Sequence, residues 1–273
     1  IGPNPGDDYP TITAAITAIR SAGLAGATVL ELQTGYSGTE TLPIALSNLY
    51  GTAANTLTIR PATGVTALTI SGSNATAMFD FNGSQYITID GRPGGTGTAR
   101  ELTISNTSTS GVTVRFINDA SNNTMRNCYI QGATTSVTNG VVFFSTGITT
   151  GNDNNTLMNC VIRDRSDAAG VPYFLMYSEG SSASITNTGN TISGNELFNF
   201  TFTGIRITST GNENWTITGN EIYQASARTT ELAGIEFSSL GTNTISQNTI
   251  RSLNTNIGIY GIWLGDARNT TVS

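Results

Sequence analysis

One short phrase is written several times along this chain, and no other feature restricts the fold as much. It runs as NNTMRNCYI (Asn122 to Ile130), NNTLMNCVI (Asn154 to Ile162), GNTISGNEL (Gly189 to Leu197), GNENWTITGNEI (Gly211 to Ile222) and TNTISQNTI (Thr242 to Ile250). RNTTVS, Arg268 to Ser273, opens a further copy. Aligned, the copies share a column of Cys128, Cys160, Asn195, Asn220 and Asn248, at steps of 32, 35, 25 and 28 residues. A second phrase alternates with the first as NGVVFF, TGIRIT, AGIEFS and YGIWLG, from Gly140, Gly204, Gly234 and Gly261, and GVTVRF from Gly111 joins it.

Each phrase predicts a short strand. Apolar and polar residues alternate, Val, Ile, Thr and Phe dominate, and Gly, Asn and Ser punctuate. No helical pattern separates the copies, so the strands are not joined by helical crossovers. A repeat of this length with two or three short strands is one coil of a parallel β-helix. A coil cannot bury its apolar edge alone, so the next must offer the same residues in the same columns. Equivalent asparagines then stand one strand spacing apart, about 4.8 Å, and exchange amide hydrogen bonds. An antiparallel sandwich with Asn-rich turns is the competing reading, but these copies share more than turn residues.

The fold class expected is therefore an all-β solenoid, a right-handed parallel β-helix with an N-terminal capping α-helix. Residues 1–273 form one domain, with a cap over about 1–27 and coils over about 28–273, the last incomplete. The cap is read from DYPTITAAITAIRSAGL, where Ile12, Ala15, Ile16 and Ile19 keep helical spacing and Thr11 or Thr13 is the N-cap. Asp7 and Asp8 precede it and suit its positive end. The Gly-rich GRPGGTGTAR, Gly91 to Arg100, lacks phosphate-loop spacing and reads as a corner loop.

Composition limits function. Only 11% of the 273 residues are charged, the net charge is −6, and there is no His. All 12 cations are Arg and they are scattered, so no basic stripe exists to neutralise nucleic-acid phosphates. No apolar run is long enough to span a membrane as a helix. The chain opens at Ile1, which suggests a removed leader or a longer parent. Its Ser, Thr, Asn and Gly content suits an extracellular or cell-surface location. Asn-X-Ser/Thr triplets at Asn74, Asn82 and Asn214 are expected by chance at this composition.

The repeated phrase resembles the parallel β-helix repeats of the pectate-lyase-like superfamily. DYPTITAAITAI, NTLTIRPATGV and QYITIDGRPGGTGTARELTISN are similar to segments of large secreted bacterial surface proteins on that fold. The resemblance implies a scaffold that hosts lyases, hydrolases, adhesins and structural proteins alike. Its lyases combine acidic calcium ligands with an Arg or Lys base, and its hydrolases cluster Asp, often with His.

Against that pattern the weak catalytic candidates are Arg163, Asp164, Arg165 and Asp167 in IRDRSD. They read either as a base beside an acidic metal site or as a self-paired surface cluster, and the second reading is preferred. Asp80 and Asp90 fall on or beside strands without a third ligand. Tyr173, Phe174, Tyr177 and Trp263 offer faces on which sugars stack, although packing explains them as well. No cofactor and no metal is expected. The preferred function is a non-enzymatic structural or adhesive module, self-associating or continuing at its C-terminal end, with a glycan or cell-surface partner. A polysaccharide lyase or glycoside hydrolase is the alternative. Two structural expectations follow from the alignment: Cys128 and Cys160 stack as buried thiols rather than a disulfide, and Arg206 pairs with Glu236 across one inter-coil spacing as an exposed, weak pair.

Overall fold

A computed structural model of the chain describes residues 1–167, 170–208 and 211–273. Its coils visit three sheets in turn. One coil runs from Thr156–Met158 in a nine-stranded sheet, to Val161–Asp164 in a seven-stranded sheet, to Phe174–Ser178 in an eight-stranded sheet. The next coil re-enters the first sheet at Thr191–Ser193. Neighbouring strands in each sheet belong to successive coils and pair in parallel. The chain is thus an all-β solenoid with one N-terminal helix.

The register repeats the phrase alignment. Thr191, Ile192 and Ser193 lie opposite Thr216, Ile217 and Thr218, which lie opposite Thr244, Ile245 and Ser246. Inward columns stack like with like. Ile59, Ile89, Met125, Leu157, Ile192 and Ile217 form one such column, all fully buried. Each such side chain contributes about 1.5–3 kcal/mol by leaving water. In the eight-stranded sheet Phe81, Phe116 and Phe144 stack at 4.7 and 4.6 Å. Ser178 follows Phe144 in that column, and the ring of Trp215, 5.1 Å from that of Phe144, fills the space this leaves.

Turn asparagines bind the coils together. Asn195 donates its backbone N–H and its Nδ2 to Asn220 Oδ1, at 3.0 Å each. Asn220 repeats both bonds to Asn248, at 3.0 and 2.9 Å. Two further columns do the same: Asn123, Asn155 and Asn190, then Asn152 and Asn187. The alignment anticipated one column; the second was present in the sequence as the latter Asn of each NNT.

Cys128 and Cys160 are unbridged and fully buried. They occupy the asparagine positions functionally as well as spatially. The Cys128 N–H donates to Cys160 Sγ at 3.5 Å, and the Cys160 N–H donates to Asn195 Oδ1 at 2.9 Å. Burial first, then the neighbouring thiol, pushes the Cys128 thiol well above its usual range.

Two glycines of the second phrase, Gly204 and Gly234, share a steric reason. A Cβ on Gly204 would stand 2.7 Å from Ile222 Cγ2 and 2.8 Å from the Gly234 carbonyl oxygen. Gly234 meets Ile250 Cγ2 and the Gly261 carbonyl oxygen at the same two distances. The main chain passes too close to the core there for any side chain.

Helix α1 spans Ile12–Ala22 and turns Ile12, Ala15 and Ile16 inward. Thr11 is the N-cap, its Oγ1 accepting from the Ala14 N–H at 3.0 Å. The acid at the helix start is Glu40, brought there by the fold: it accepts from the N–H groups of Ile12 (2.6 Å) and Thr13 (2.9 Å) and from Tyr36 Oη. Asp7, one of the two acids expected in that role, instead accepts from the Asn4 N–H at 2.8 Å. No helix among the described residues is long and apolar enough to cross a membrane.

Candidate functional site

The outward side of the eight-stranded sheet carries the chain's most varied chemistry. Register places Asp80, Arg115, Phe143, Tyr177, Arg206, Glu236 and Trp263 in one column, each on its own coil. Phe143, Phe174 and Tyr177 form an apolar cluster outside the main core, with Tyr173 and Phe202 packed on it. The segments linking the seven- and eight-stranded sheets supply Tyr173 and Phe202. The Tyr177 ring lies 5.6 Å from that of Phe143 and 5.2 Å from that of Phe174; Tyr173 stacks on Phe202 at 5.0 Å.

Arg206 joins the aromatic and ionic parts of this face. Its guanidinium carbon sits 4.9 Å from the Phe174 ring centre and 5.7 Å from that of Tyr177. Such contacts are worth about 0.5–1 kcal/mol when exposed and about 2 when desolvated. Its Nε lies 3.1 Å from Glu236 Oε2 with no acceptor in line, so the contact is an ion pair rather than an aligned hydrogen bond. The register expected for this pair is therefore observed. Its exposure is not as expected: the side chains are 26% and 11% accessible. The aromatic rings and Thr203, whose Oγ1 donates to Glu236 Oε2 at 3.5 Å, cover it. Burial pushes the Glu236 carboxyl above its ordinary range, with Arg206 opposing. At the other end of the column Arg115 grips Asp80 with two bonds of 2.9 and 2.8 Å. Trp263 and Tyr260 on the last coil are about half exposed and stack at 5.9 Å.

The IRDRSD residues lie elsewhere and are spent on one another. Arg165 holds Asp167 through Nε (3.0 Å) and Nη2 (2.6 Å). Arg163 Nε is 3.5 Å from Asp164 Oδ1, which also accepts from Asn199 Nδ2 at 2.9 Å. Arg163 points out from the seven-stranded sheet and lies 4.9 Å from the centre of the Phe198 ring. Phe198 stacks on Tyr223 at 4.9 Å, and Arg251 covers the far side of Tyr223 at 4.0 Å.

Asp90 is fully buried on the nine-stranded sheet, between Arg92 and Arg126. Burial alone would raise its carboxyl; the bonds from Arg92 and the charge of Arg126 hold it below the usual range instead. No three of the described Cys, Asp and Glu residues stand close enough together to hold a metal ion.

Sequence reasoning missed two acids. Asp119 Oδ1 gathers the N–H groups of Ile148 (2.8 Å), Thr149 (3.0 Å), Thr150 (3.2 Å) and Gly151 (3.1 Å). Burial pushes neighbouring Asp153 up to about 6; the Thr188 N–H opposes this and the Asp119 charge adds to it. No local signal marks either acid, because the amides they meet come from the next coil.

No protein-family model matches the chain, and no curated protein matches it. Among solved structures it is similar to the surface adhesin PfbA of Streptococcus pneumoniae. One PfbA structure matches at 13% identity and a TM-score of 0.41, over 94% of this chain and 77% of that one. Another matches at 12% identity and 0.39, over 100% and 93%. Likeness this distant carries no residue or role across, and the fold stands on the strand registers above.

Proposed function

We propose that this chain is a non-catalytic adhesive or structural module working outside the cell or at its surface, and that it binds through the outward face of the eight-stranded sheet. The observation behind this reading is the row that joins Phe143, Tyr177, Phe174 and Arg206 to Glu236. Phe143, Phe174 and Tyr177 are themselves buried and form the base on which the partly exposed Tyr173, Phe202 and Arg206 guanidinium are held as a preorganised contact strip, and its acids are held by arginines on adjacent coils. A glycan or a surface protein stacks and hydrogen-bonds on such a strip without being transformed. The test is binding of the purified chain to an array of glycans and matrix proteins. Arg206→Ala and Tyr173→Ala are expected to lose the signal that wild type shows. Retention of full binding by both variants would move the site elsewhere. Sedimentation of the same protein tests the self-association expected from its sequence.

A polysaccharide-active enzyme is the second reading, favoured by one observation: Glu236 is largely withdrawn from solvent beside an aromatic wall, with its carboxyl raised. Release of reducing or unsaturated sugar from a polysaccharide panel, abolished by Glu236→Gln, would establish it.

A further inference from the structure

The outward side of the nine-stranded sheet is a second surface with a different chemistry. Strand register sets Thr58, Thr88, Thr124, Thr156, Thr191, Thr216, Thr244 and Thr271 opposite one another in one unbroken column. Thr191 to Thr244 are half-buried and Thr271 is exposed. None of their hydroxyls has a hydrogen-bond partner among the described residues, whereas most turn asparagines of the same coils are fully engaged. Most hydroxyls in the interior of this protein find partners, Ser84 Oγ being an exception; the threonine hydroxyls face outward and are open to a partner there.

The array is two-dimensional. Two residues along each strand stands a second column of Met158, Ser193, Thr218 and Ser246. Thr218 Oγ1 and Ser246 Oγ lie 3.0 Å apart, so these two hydroxyls are tied together along the coil axis. Together the columns make a grid of about 4.8 Å between coils by about 6.6 Å along the strand. The pairings that build it contain no register shift. Threonine is β-branched, so its methyl and hydroxyl keep one orientation from coil to coil.

Two details choose the partner. First, the grid is uncharged from Met158 onward. The earlier positions of the second column are Glu31, Arg60, Asp90 and Arg126, which neutralise one another through ion pairs. Second, short turns bound one edge of the uncharged part. The strands Thr191–Ser193 and Thr216–Thr218 leave through single left-handed glycines, Gly194 (φ 62) and Gly219 (φ 64), directly into the next sheet. Crystalline polysaccharides are gripped by planar aromatic rings, and this part of the face has none. A neutral lattice whose hydrogen-bonding groups repeat at nearly the grid spacing is the surface of ice, where oxygens recur on a similar rectangular net. We infer that the threonine face of the nine-stranded sheet binds ice, its methyls seating ordered water and its hydroxyls anchoring it. This surface is separate from the one assigned above and does not depend on that reading.

The test is ice-affinity partition of the full chain. Protein in dilute buffer is presented to a slowly growing ice front, and the protein taken into the ice is compared with that left in the liquid. Wild type is expected in the ice fraction and to shape ice crystals. Thr216→Lys and, separately, Thr191→Lys should lose most of that incorporation while keeping the wild-type circular-dichroism spectrum. Thr249→Lys, on the seven-stranded sheet, should keep it. Exclusion of wild type from ice, like any ordinary globular protein, overturns the inference. So does incorporation that neither well-folded lysine variant reduces. Adsorption of wild type to crystalline cellulose or chitin together with exclusion from ice overturns it in favour of a polysaccharide surface.

Discussion

A cysteine can stand in an asparagine column because the column needs an acceptor more than an amide. Cys160 Sγ receives the Cys128 N–H where Asn220 Oδ1 receives that of Asn195. Restoring the amide should therefore be tolerated: Cys160→Asn is expected to leave stability within about 1 kcal/mol of wild type. Cys160→Val keeps a small apolar side chain but removes the acceptor, leaving a buried N–H, and should cost about 1–3 kcal/mol. Urea midpoints of the two variants decide the matter; equal loss in both would mean that volume, not hydrogen bonding, governs the site. Asp153 supplies a pH effect of definite sign. Its folded value, about 6, lies above the ordinary one near 4. The folded state thus binds its proton more tightly than the unfolded state. The stabilisation is fully present below about pH 4 and disappears as pH rises through about 6. Asp153→Asn should flatten the fall in melting temperature over that window, and an unchanged profile would assign the effect to another group.

At the scale of an element, the solenoid's turns and edges are set by close approach more than by propensity. The second phrase keeps glycine at Gly204 and Gly234 because the main chain there runs against a core isoleucine and a carbonyl, both of the following coil. Gly204→Ala is expected to destabilise by about 1–3 kcal/mol, as overpacking does. Gly261, at the equivalent position, would place its Cβ near nothing, so Gly261→Ala should be neutral. Thermal denaturation of the pair tests the steric account, which fails if the two variants melt alike. Helix α1 shows the same dependence on neighbours. Its Thr11 cap is local, but Glu40 reaches its first amides from 27 and 28 residues away.

Across the whole molecule, each coil touches only the coils before and after it, so stability is close to a sum of interfaces. Trp215 is the largest fully buried side chain, packed against Phe144 with its Nε1 donating to the Asn187 carbonyl at 3.0 Å. Trp215→Ala should cost about 3–5 kcal/mol. Because that loss falls on one interface, unfolding should broaden or split into two steps rather than simply shift. A single sharp transition, displaced as a whole, would show that the coils unfold as one unit.

The sequence by itself determined the coil. The repeated phrases set which residues point inward, and a period-2 pattern repeated in register has few ways to bury its apolar side other than stacking. That is why the Cys128–Cys160 contact, the Arg206–Glu236 register and the start of α1 near Thr11 or Thr13 were legible in the sequence, and the structure chose Thr11 as the cap. Only the tertiary structure decided the surfaces. Coils differ in length, so residues that share a column are 25 to 36 positions apart with no fixed spacing between them. Arg206 meets Phe174 from the preceding coil, Asp90 meets Arg126 from the following one, and the threonine grid exists only once eight strands have paired. Burial follows the same rule. Arg206 and Glu236 read as exposed because they alternate outward, yet rings from the neighbouring coil cover them, and a local pattern contains no information about what the next coil will lay across it.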